Sequence, residues 1–82
     1  MLDGVRNLKT SEIEFRPRLP QLECDWLVGQ LRARRGITAA ACASDASRLT
    51  IEYDADRLGN GDLVDFLNMC GVRVGAVHPL PS

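Results

Sequence analysis

Thiol and carboxylate groups crowd one short stretch of the 82-residue chain, where Glu23, Cys24 and Asp25 are consecutive. Joined by the thiol of Cys70, they offer a mixed sulfur and oxygen donor set. Such a set suits tetrahedral Zn(II), and the neighbouring negative charge favours a cation. The competing reading is that Cys24 and Cys70 fall on the apolar stripes of two helices and pack there as small hydrophobes. Cys42, in step with Ala40, reads as core packing against a helix. The single histidine, His78, stands before Pro79 and reads as a surface residue rather than a ligand. No two cysteines stand in a CxxC or CxC spacing, and three thiols in a chain read as cytoplasmic do not make a disulfide framework.

Arginine is the other concentrated chemistry. Arg32, Arg34 and Arg35 close one helix, and with Arg16 and Arg18 they suggest a basic surface for an acidic protein partner. The competing reading is a solvated helix face. RNA fits less well, because no aromatic side chains interleave with the arginines to stack bases. Trp26, the only tryptophan, falls beside the inward stripe of the same helix. It is either an exposed interface anchor or a side chain partly buried against neighbouring segments. No enzyme constellation is present: there is no Ser/His/Asp set and no glycine-rich phosphate loop after a strand. The net charge of −1 gives no general attraction to phosphate backbones or anionic lipid. Met1 to Thr10 lacks the apolar centre of a signal peptide, and no apolar run approaches the ~20 residues that span a bilayer. The chain therefore reads as cytoplasmic, with no membrane insertion of its own.

The elements that must carry these groups follow from hydrophobic periodicity. Ser11 to Arg16 alternates, with Ile13 and Phe15 on one face and Glu12, Glu14 and Arg16 on the other, as a half-buried strand does. Pro17 and Pro20 interrupt it. From Cys24 the period becomes helical through Leu27, Val28 and Leu31, and Gly36 ends the run. Ile37 to Ala43 and Arg48 to Asp54 read as a hairpin. Asn60 is the expected cap of a second helix bearing Leu63, Phe66, Leu67 and Cys70, which Gly71 ends. Val72 to Val77 is a last short strand closed by Pro79. Right-handed crossovers fold this order into a ferredoxin-like βαββαβ sandwich, with a four-stranded antiparallel sheet and two helices on one face. On this reading residues 11–79 are one α/β domain, 80–82 a tail, and 1–10 an extension in which Val5 and Leu8 either pack against the sheet or lengthen it. The topology brings Glu23, Cys24 and Asp25 to the end of the fold where Cys70 lies.

From about Glu12 to Val77 the chain resembles a heavy-metal-associated domain, the fold of copper and zinc chaperones and of the N-terminal modules of metal-pumping P-type ATPases. The likeness rests on Leu27 and Leu31 before Gly36-Ile37. It continues through Leu49, Ile51, Tyr53 and Asp54 in the third strand and Leu63 and Phe66 before Gly71-Val72. In that family an MxCxxC loop follows the first strand. Counting back from Gly36 places its two thiols at about Pro20 and Glu23, neither of which is cysteine, and Cys24 stands one residue past the second. The resemblance implies a non-enzymatic module with a degenerate metal loop, either standing alone or forming the N-terminal domain of a metal-transporting P-type ATPase, that acts as a docking or regulatory element in metal trafficking and binds a protein domain of a metal transporter or a second copy. In the family the first helix and the metal loop form the docking face. The alternative is an atypical Cu(I) or Zn(II) carrier in which Cys24 works with Glu23, Asp25, Cys70 or a second subunit.

Overall fold

The computed structural model describes residues 7–16, 19–44 and 47–80. Six elements run in the order β1 (Leu8–Phe15), α1 (Gln21–Ala33), β2 (Ile37–Cys42), β3 (Arg48–Asp54), α2 (Asn60–Met69) and β4 (Val74–Leu80). The strands form one antiparallel sheet in the order β2-β3-β1-β4, and both helices lie on one face of it, giving the ferredoxin-like βαββαβ fold. Alternation decides which side of each strand meets the helices. Ser11, Ile13 and Phe15 of β1 and Leu49, Ile51 and Tyr53 of β3 are buried, while the residues between them are not. Cys24, Leu27 and Leu31 of α1, with Leu63 and Leu67 of α2, close the core and are fully buried. Truncating a side chain such as Leu27 to alanine costs about 2–5 kcal/mol at such a site.

Several boundaries move from their sequence expectation. The first strand starts at Leu8, because Leu8 to Thr10 pair with Asp54 to Glu52 of β3 and so lengthen the sheet. Val5 lies outside the described residues. The first helix begins at Gln21, with Pro20 as its cap; the Cys24 amide already donates to the Pro20 carbonyl at 3.0 Å. β4 runs through Pro79 to Leu80 instead of closing before it. As an edge strand it tolerates the missing amide hydrogen. Asn60 is the first residue of α2, not its cap. Gly59 precedes the helix, and the Gly59 amide donates to the Asp62 carboxylate at 2.8 Å.

The Asn60 side chain does other work. Its carboxamide oxygen accepts hydrogen bonds from the Ser11 hydroxyl at 2.7 Å and the Tyr53 hydroxyl at 3.1 Å, which ties the start of α2 to the two central strands. At the far end of α2, Gly71 adopts φ +84. There the Val72 amide donates to the Leu67 carbonyl and the Gly71 amide to the Asn68 carbonyl, the paired bonds of a left-handed helix stop.

Candidate functional site

The crossovers send the chain back and forth between two poles. The start of α1, the end of β2, the start of β3 and the end of α2 share one pole; the end of α1, the end of β3 and the start of α2 share the other. This fixes which of the chemistry-bearing residues can meet.

Cys24, in the first turn of α1, and Cys42, at the end of β2, come together at the first pole, and their sulfurs form a disulfide with the Cα atoms 6.5 Å apart. This corrects two expectations. Cys42 is not a solitary packing residue, and the chain does carry a cross-link. The pairing was hidden because 18 residues separate the two thiols, and only the return of β2 beside the helix brings them into register. While bonded, Cys24 has no thiolate to offer a metal, and its side chain is fully buried.

Glu23 and Cys70 do meet: with Trp26, Gly71 and Val72 they line a cavity of about 250 Å³. Cys70 is a free, half-buried thiol. Asp25 points elsewhere and accepts a hydrogen bond from Gln21 on the exposed side of α1 at 3.1 Å. The expected donor set of Glu23, Cys24, Asp25 and Cys70 is therefore not assembled, and no cluster of three or more metal-ligating side chains occurs among the described residues. His78 is on the outer face of the sheet, its Nε2 3.0 Å from the Glu14 carboxylate.

The arginines are dispersed as well. Arg32 is exposed near the end of α1 and makes no ion pair among the described residues. Arg34 turns inward and lies 4.9 Å from the centroid of the Phe66 ring, its buried Nε without a hydrogen-bond acceptor. Arg35 lines a cavity of about 350 Å³ at the second pole with Asp54 and Arg57, which pair at 3.6 Å. Arg16 stays beside Glu14 at the end of β1, a helix length away. Arg18 lies outside the described residues. The expected single basic surface is not formed, because α1 carries its C-terminal arginines to the pole opposite Arg16.

Among its charged and polar side chains, the first pole also exposes three large apolar ones. Trp26 is 51% exposed, Leu22 on the preceding turn of α1 is 82% exposed, and Met69 at the end of α2 is 84% exposed. Most large apolar side chains in the fold are buried, so three exposed ones at a single pole stand out. Leu22 and Met69 escaped the sequence reading. The readable signal for Leu22 was its spacing of four from Trp26, on the side of α1 away from Cys24, Leu27 and Leu31. No helix of the described residues is long and apolar enough to cross a membrane. Comparison with known proteins returns no matching family model, no matching curated protein and no matching solved structure.

Proposed function

We propose that this chain is a non-enzymatic docking module of the heavy-metal-associated type, with a degenerate metal loop, acting as a regulatory or protein-binding element in metal trafficking. The observation that carries the reading is the exposure of Trp26 beside Leu22 and Met69 at the start of α1 and the end of α2. A half-exposed tryptophan next to a small cavity is the kind of anchor that supplies most of the energy of a protein interface. The family resemblance points to the same face, since there the first helix and its preceding loop engage the partner domain. The partner is a protein domain, either of a metal transporter or of a second copy.

A photo-crosslinking amino acid placed at position 26 tests this in the native host, with the same group at Thr50 on the outer sheet face as control. A discrete protein adduct from position 26 alone is the expected result. Equal labelling from both positions, or none from position 26, would falsify the docking face. The alternative carrier reading needs Cys24 as a thiolate and therefore requires the Cys24–Cys42 bond to open first. It predicts that Cu(I) or Zn(II) outcompetes a chelator only in the reduced protein and that Cys24→Ala abolishes the effect. Metal binding of equal strength in Cys24→Ala removes that reading.

A further inference from the structure

The outer side of α1 carries an apolar stripe that its own domain leaves largely uncovered. Leu22, Trp26, Gly29 and Ala33 recur at spacings of four, three and four residues, and all four are exposed. Cys24, Leu27 and Leu31 occupy the opposite side and are buried. The helix is thus apolar twice over, once toward its own sheet and once toward solvent.

Gly29 sharpens the point. It sits in the middle of α1, where glycine costs about 1 kcal/mol relative to alanine. A Cβ built on it meets nothing within 4 Å, so nothing inside the domain calls for its absence. A missing side chain on an exposed helix face is useful when another backbone or a large side chain must approach closely.

The stripe is complementary to itself. Its first half is bulky, Leu22 and Trp26, and its second half is small, Gly29 and Ala33. Two copies of α1 laid antiparallel match Trp26 with Gly29 of the second copy and Leu22 with its Ala33, each large side chain over a small one. The flank closes in the same register. Asp25 and Arg32 lie on one side of the stripe, and antiparallel packing brings equal flanks together, so each Asp25 faces the other copy's Arg32. Within one chain these two are separated by nearly two turns and do not pair, and Arg32 has no ion-pair partner among the described residues. Large against small and acid against base, each satisfied by the two-fold repeat of the same patch, is what an isologous interface requires.

We infer that the partner of the docking face is a second copy of this chain, bound through antiparallel contact of the two α1 helices. The inference rests on the docking reading and names its occupant.

Sedimentation equilibrium across micromolar to millimolar concentration reads the outcome directly. The expected result is a reversible dimer. Trp26→Ala and Gly29→Leu each weaken it at least about tenfold, although leucine favours the helix itself. Asp25→Arg and Arg32→Asp each weaken it roughly tenfold, and the double variant recovers affinity because the exchanged charges again meet their opposites. Circular dichroism confirms that each variant stays folded. A chain that remains monomeric at millimolar concentration overturns the inference, as does a dimer indifferent to Gly29→Leu or one in which the two charge reversals add instead of compensating. A monomer whose position 26 crosslinks to a different protein defeats self-association and leaves the docking face standing. A dimer formed elsewhere, with no adduct at position 26, defeats both.

Discussion

At Gly36 the backbone takes φ +97, and an added Cβ would stand 3.0 Å from Cδ1 of buried Leu58. Both facts oppose a side chain, so Gly36→Ala is expected to lower stability by about 1–2 kcal/mol. Gly29, in open space on α1, has the reverse expectation: Gly29→Ala should raise stability by about 0.5–1 kcal/mol when measured on dilute protein. Urea unfolding of the two variants checks both signs together. A destabilised Gly29→Ala would mean that its helix position is constrained in a way its surroundings do not reveal. The role of Gly36 as a terminator is legible in the sequence because a glycine after a helical run has one common use. The role of Gly29 is not legible, because a glycine within such a run acquires meaning only when its neighbours in space are known.

At the scale of elements, α2 is held to the sheet by a short polar link as well as by Leu63 and Leu67. The Asn60 oxygen receives both the Ser11 and Tyr53 hydroxyls, and Ser11 is fully buried. Asn60→Ala therefore strands a buried donor and should cost about 1–3 kcal/mol, whereas Tyr53→Phe removes only a donor and should cost about 0.5–1.5 kcal/mol. Thermal unfolding of the two variants tests the order; an equal or reversed pair would show that the link contributes little. Periodicity finds both helices and all four strands, since each element buries one face and its apolar residues repeat accordingly. It misplaces Asn60, because asparagine before a helix usually caps it. Only the neighbouring hydroxyls of β1 and β3 reveal that its side chain is already engaged.

At the scale of the whole molecule, the Cys24–Cys42 bond links the first turn of α1 to the end of β2 across 18 residues. Closing a loop of this length stabilises a fold by about 3 kcal/mol, so reduction or Cys42→Ser should lower the unfolding free energy by about that amount. Alkylation of the unfolded, unreduced chain followed by mass measurement is expected to modify Cys70 alone. Labelling of all three cysteines would show the pair open, as a reducing cytoplasm would leave it. By itself the sequence determined the order of elements, the core stripes and hence the ferredoxin-like fold, because these depend on the local alternation of apolar and polar residues. Tertiary structure alone decided that Cys24 meets Cys42, that Arg34 turns onto Phe66 while Arg35 faces the far pole, and that Trp26 stands exposed with Leu22 and Met69. Those relations join residues distant in the chain, and their distances are set by how the crossovers return each helix to the sheet.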